Sequence, residues 1–156
     1  MPDINPMRGI FQGFDIIGAG LRAEMQKAEL ISVNLSHLQD VGNKHNEPYR
    51  RQVAVFQEVL EEESRYASLE KLPGGKGLAR GVEISEIYTD HSTELPWFSD
   101  PTHPMADEDG RVLMTNVDMF KEMVDLRAVQ RSFQANLVAL RAYRDMIQTA
   151  VQNIGR

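Results

Sequence analysis

The sequence predicts an α+β protein in which long N- and C-terminal helices, packed as an antiparallel coiled-coil-like assembly domain, bracket a small β-rich insertion. Three observations carry this. Large apolar residues recur every three or four positions at both ends of the chain, the middle switches to short runs rich in β-branched and aromatic residues, and turn-forming Gly and Pro separate those runs. The resulting division is residues 1–46 for the first helix, 47–114 for the β-rich middle and 115–156 for the second helix.

In the first segment the apolar spacing runs Phe14, Ile17, Leu21, Glu24, Ala28, Ile31, Leu35 and Leu38, in alternating steps of three and four, with Glu24 the exception and Met25 beside it. Such spacing places the apolar groups on one face of a helix. Gly42 and Asn43 supply a stop, because either residue tolerates the left-handed backbone found at helix C-termini.

The last segment continues the pattern through Met119, Met123, Leu126, Gln130, Phe133, Leu137, Leu140, Arg144, Ile147, Val151 and Ile154. Asn116 is expected to cap it, Asp118 to sit in the first turn where the helix dipole favours an anion, and Gly155 to stand just past its end. At 1.5 Å per residue this helix would extend about 55 Å, and the first about 40 Å. Gln130 and Arg144 interrupt the stripe. A polar residue there could fix register, but a straight helix also drifts about 20° per heptad, and drift that lets Val129 and Tyr143 take over is the expectation.

Between the helices, "EPYRRQVAVFQEV" reads as a strand, with Val53 and Val55 on one face and Ala54 and Phe56 on the other. "RGVEISEIYTD" is a second strand, and "ADEDGRVLM" carries an Asp-Gly turn before a third, Val112 to Met114. Pro73, Gly74, Gly75 and Gly77 mark a loop.

Composition excludes several functions. The net charge of −6 argues against a nucleic-acid surface, which needs a basic patch. The chain has no cysteine, so neither a disulfide nor a thiolate metal site can form. No apolar run approaches the roughly 20 residues of a membrane span, and the N-terminus lacks a basic region followed by an apolar block, so a soluble chain without direct membrane insertion or a cleaved leader is expected.

No catalytic, cofactor or metal motif completes itself. "LPGGKGLARG" lacks the Walker pattern, with Glu70 and Gly77 at its defining positions, and a dinucleotide fingerprint from Gly75 puts Arg80 where Gly is required. Asp107, Asp109 and Gly110 fall at calcium-loop offsets, but Met105 and Asn116 occupy the first and twelfth ligand positions, so a solvated turn is expected. His37, His45, His91 and His103 lack zinc-site spacing, and Glu61 to Glu63 read as a solvated charge run.

The two stripes therefore matter most. A helical hairpin can cover part of each stripe, but it has little interior, and a second face carrying Val124, Val129, Val138 and Tyr143 would meet water. The residues expected at subunit contacts are Phe14, Ile17, Leu21, Ile31, Leu35, Leu38, Met119, Met123, Leu126, Phe133, Leu137, Leu140, Ile147, Val151 and Ile154. A helical adaptor receiving an amphipathic partner helix is the alternative.

The chain also resembles a known family. His103-Pro104, Ala106-Asp107 and Gly110 come first, then Asn116-Val117 and Glu122-Met123-Val124-Asp125, then Phe133-Gln134-Ala135-Asn136 with Met146. Together with "PYRRQVAVFQE" and Val33-Asn34-Leu35-Ser36-His37, these are similar to the flagellar basal-body rod proteins of the axial rod and hook family, His37 standing where the family commonly has Asn. The resemblance implies a non-enzymatic subunit of the proximal rod, a periplasmic tube that transmits torque. Its implied partners are copies of itself, other flagellar rod proteins and the flagellar type III export apparatus, and Asn136 joins the implied contact surface.

Overall fold

The computed structural model describes residues 6–60 and 79–154 of the chain. Glu61 to Glu63 and the Pro73 to Gly77 loop lie outside the described residues. The element order is α1 (Pro6–Ser36), β1 (Val41–Gly42), β2 (Gln52–Leu60), β3 (Ala79–Thr89), β4 (Trp97–Ser99), β5 (Arg111–Met114) and α2 (Met119–Ile154). The fold is α+β, with a helix at either end and small sheets between. β1 and β4 are absent from the sequence reading because two or three residues carry no periodicity.

Packing divides the chain into two compact units. The described parts of one are residues 6–25, 56–60, 79–85 and 131–154; the other is Gln26–Val55 with Glu86–Gln130.

In the first unit α1 and α2 touch in antiparallel order. Gly13 faces the Tyr143 ring, and Gly20, one heptad on, faces Asn136, one heptad back. Phe14 meets Tyr143 edge to face, with ring centroids 5.1 Å apart. β3 approaches α1 so closely at Gly81 (φ +129°) that a Cβ there would lie 2.7 Å from the Ala19 methyl, which excludes any larger residue.

In the second unit β5 is the centre of a three-stranded antiparallel sheet, in the order β1-β5-β4. Val41 pairs with Met114 and Gly42 with Leu113 on one edge; Trp97 pairs with Leu113, and Phe98 with Val112, on the other. Central in its sheet, β5 buries both Val112 and Leu113 although consecutive residues leave opposite faces of a strand. The expected Asp-Gly turn precedes it. Asp107 accepts hydrogen bonds from the amides of Asp109 (3.0 Å) and Arg111 (2.9 Å), and Gly110 supplies the positive φ of 71°. The remaining buried apolar residues of this unit are Leu30, Ile31, Val117 and Val129.

Two helix boundaries differ from expectation. α1 ends at Ser36, so Leu38 lies in the following turn and Gly42 serves as a strand residue instead of a stop. The helix tightens as the Leu38 amide bonds Leu35 O. His37 holds the turn by stacking on Tyr49, with centroids 4.3 Å apart, and by pairing with Asp40 at 2.8 Å. At the other end Asp118, not Asn116, caps α2: its carboxylate accepts from the amides of Phe120 (2.8 Å) and Lys121 (3.3 Å). Asn116 is unavailable because its amide group is spent elsewhere.

Candidate assembly surface and its anchor

The second unit is held by a buried polar hub that apolar periodicity could not reveal. Asn34, near the end of α1, meets β2 as another strand would. Its Oδ1 accepts from Gln52 N at 3.0 Å and its Nδ2 donates to Gln52 O at 2.9 Å. Tyr49 Oη donates to the same Oδ1 at 2.8 Å, and Nδ2 also reaches Glu122 Oε2 at 3.2 Å. Both acceptor sites and both donors of the amide are thereby used, which lets a polar side chain lie fully buried at little net cost.

Glu122, in the first turn of α2, is 0% exposed. A carboxylate without water needs charge-assisted partners, and Arg51 provides one: Nε donates to Glu122 Oε1 at 2.5 Å while another guanidinium nitrogen reaches Asp125 Oδ2 at 3.2 Å. The backbone of Arg51 is tied as well. Its N–H donates to Asn116 Oδ1 at 2.7 Å, and its carbonyl accepts from Asp90 N at 2.8 Å. Asn116 completes the loop by donating to Asp90 O at 3.0 Å. Residues 49–52 thus bind the end of α1, the start of α2 and the segment after β3 together.

Two groups report this electrostatics. Burial, reinforced by the negative charges of Glu122 and Asp40, raises the Tyr49 phenol above its ordinary value. Asp90 is held far below the usual carboxylate range, first by the Ser92 hydroxyl (2.6 Å), then by the Thr93 hydroxyl (2.7 Å) and the neighbouring amides. Among the described residues every buried side-chain nitrogen or oxygen has a partner.

The residues expected at subunit contacts lie along the two helices with graded exposure. Ile31 is buried within its own chain. Phe14, Ile17, Leu21, Leu35, Leu38, Leu126, Phe133, Asn136, Leu137, Leu140 and Ile147 are half-buried, whereas Met119, Met123 and Val151 are exposed. The Ile154 side chain lies outside the described residues. Stripe drift accounts for both polar interruptions: Gln130 and Arg144 point to water while Val129 is buried and Tyr143 packs on Phe14. Of the four residues expected to line a second wet face, Val129 and Tyr143 therefore turn inward, and only Val124 and Val138 are exposed.

A large apolar surface stays open even so. Phe120 is 77% exposed and Val138 63%, with Val124, Met146 and Val151 also exposed along α2. Helical spacing sets Phe120, Val124, Val138 and Met146 on one side of α2 as an outer ridge, with Val151 on another side, and apolar strips of this kind mark protein contacts. No described helix is long and apolar enough to cross a membrane.

Comparison with known proteins agrees with this geometry. The profile of the family described as "Flagellar basal body rod FlgEFG protein C-terminal" matches residues 108–153, which include β5, the Asp118 cap and Glu122. The chain is 30% identical over 146 residues to the flagellar basal-body rod protein FlgC of Bacillus subtilis, covering 91% of this chain and 96% of that one. It is 30% identical over 134 residues to the protein of that name from Salmonella typhimurium, covering 86% and 90% of the two chains. With the Borreliella burgdorferi protein the figures are 28% over 149 residues, 92% and 96%. The relatives carry the name of a structural rod protein, which favours a rod subunit over a helical adaptor.

Proposed function

This chain belongs to the flagellar basal-body rod protein FlgC family, and from that premise we propose that its terminal helices build it into the rod as a repeating structural subunit. It is a structural protein of the flagellar basal body and acts in motility. The finer reading is mechanical. Residues 1–46 and 115–156 form the assembly domain, pairing as an antiparallel coiled-coil-like hairpin, and residues 47–114 form the smaller β-rich domain. Hairpins of neighbouring copies and of other rod proteins pack side by side into a tubular, proximal drive shaft within the periplasm. The flagellar type III apparatus delivers the chain without a cleaved leader.

The observation that carries this reading is the open apolar ridge of α2, with Phe120, Val124, Val138 and Met146 exposed in a single copy. Shared packing stabilises such a surface only when neighbours are present. Torque would pass through many shallow contacts, so the function needs buried area and no catalytic residue, cofactor or metal.

Deletion of the encoding gene followed by purification of basal bodies tests this. Cells without the chain should lack complete rods and fail to swim, and the restored chain should copurify with the rod. Complete, rotating basal bodies in the deletion strain would refute the assignment.

A further inference from the structure

The first two turns of α2 are set against their own hydrophobicity. Residues two apart on a helix point about 200° from one another, so Phe120 and Val124 lie on nearly the opposite side from Glu122. Glu122 is fully buried, whereas Phe120 and Val124 are exposed, as are Met119 and Met123 in the same turns. Burial of apolar area alone would favour the reverse setting, with Phe120, Met123 and Val124 inside and the carboxylates in water. All of these residues lie in the unit formed by Gln26–Val55 and Glu86–Gln130.

The inward stripe shows what holds the helix in this setting. Glu122, Asp125, Leu126 and Val129 follow in steps of three, one and three, which puts them on a single side. Its first two members are carboxylates, and Arg51 meets both, Glu122 at 2.5 Å and Asp125 at 3.2 Å. Asn34 lies on the buried stripe of α1 that includes Leu30 and Ile31, and it adds the bond to Glu122 Oε2 at 3.2 Å. Arg51 cannot follow a turning helix, because its N–H is tied to Asn116 Oδ1 and its carbonyl accepts from Asp90 N. Charge-assisted hydrogen bonds are directional, whereas the attraction between apolar groups is not. The polar contacts therefore index the rotation of α2 about its axis in a way that Leu126 and Val129 alone would not.

We infer that the hub of Arg51, Glu122 and Asn34 positions the assembly surface: it sets the rotation of the first turns of α2 so that Phe120 and Val124 face outward to neighbouring subunits. Glu122 is itself buried and acts through the opposite side of its helix. The inference rests on the rod-subunit reading and names the residues that direct its ridge outward.

Exchanging both charges for apolar groups, Arg51→Met with Glu122→Met, removes the directing contacts while keeping the interior filled, an exchange that often leaves stability unchanged. The chain has no cysteine, so Val124→Cys introduces a single reporter whose reaction with a water-soluble maleimide is followed in the purified full-length chain. In the paired-Met background this reporter should react at least threefold more slowly than in the parent, as the apolar side turns in. Unfolding can only accelerate labelling, so slowing separates a changed rotation from a damaged fold. The paired-Met chain with Val124 restored should be depleted several-fold from purified basal bodies. Glu122→Gln, which keeps the side-chain length and an acceptor for Arg51, should label and incorporate within twofold of the parent.

An unchanged or faster rate at position 124, normal incorporation of the paired-Met chain, or a Glu122→Gln chain as slow and as depleted as the paired-Met chain would overturn the proposal. Loss of cooperative unfolding in the paired-Met chain would overturn it too, because no second setting would then exist for the hub to select against. Failure of the parent chain to enter basal bodies would instead refute the subunit assignment, so the two readings fail separately.

Discussion

Arg51 Nε donates to Glu122 Oε1 at 2.5 Å, joining the residue before β2 to the first turn of α2 across 71 positions of chain. The carboxylate has no access to water, and among the described residues Arg51 and the Asn34 amide are the groups that meet it. Removing one partner of such a pair leaves a buried charge stranded, at a cost of about 3–5 kcal/mol. Arg51→Ala and Glu122→Ala should each lose stability on that scale in urea unfolding. The double variant should fall well short of the sum, because one interaction cannot be lost twice. Additive or sub-kilocalorie losses would show that the hub is not what ties the unit together.

Two glycines of α1 should respond to the same substitution with opposite signs. A Cβ at Gly13 would lie 2.3 Å from Tyr143 Cζ, whereas one at Gly18 would meet only Arg22 Nη1 at 3.6 Å. Gly13→Ala forces the Tyr143 ring off Phe14 and should cost about 1–3 kcal/mol. Gly18→Ala removes only the glycine penalty in a helix and should stabilise by about 0.5–1 kcal/mol. Thermal unfolding of the two variants checks this, and equal shifts would contradict the close packing of α1 on α2.

Tyr49 should dominate the alkaline limb of the stability profile. Its folded pKa is raised above 10.0, so its contribution is complete below the unfolded value and is lost as pH rises through the interval between unfolded and folded values. Phenolate absorbance should show one of the four tyrosines ionising late, and Tyr49→Phe should abolish that phase. Asp90 acts at the other limb: its folded pKa is depressed, so its contribution is present above the unfolded value near 4 and fades as the medium becomes more acidic. Asp90→Asn should flatten the acid limb.

Val138→Glu should separate folding from assembly. Val138 is mostly exposed in the single chain, so the substitution should leave monomer stability within about 0.5 kcal/mol. In cells it should abolish swimming and deplete the chain from basal bodies, because a carboxylate would be buried without a partner between copies. Normal swimming would remove the outer ridge from the assembly surface.

How much of this was legible beforehand varies by element. The two long helices, the strands at 52–60 and 79–89 and the turn at Gly110 could all be read, because each rests on residues adjacent or periodic in the chain. The drift from Gln130 to Val129 followed likewise from helix geometry. The cap of α2 is expected at Asn116 and found two residues later at Asp118, because Asn and Asp cap equally well. What excluded Asn116 was a commitment to Arg51 and Asp90, distant in the chain.

The sequence by itself determined which stretches are helical, which are extended, and that more apolar surface exists than one hairpin can cover, since these follow from local propensity and periodicity. Only the tertiary structure decided that Asn34, Tyr49, Arg51, Asn116 and Glu122 converge, and which side of α2 stays open. Polar groups acquire a role from partners far along the chain, and burial belongs to packed surfaces, so neither is encoded in any single segment.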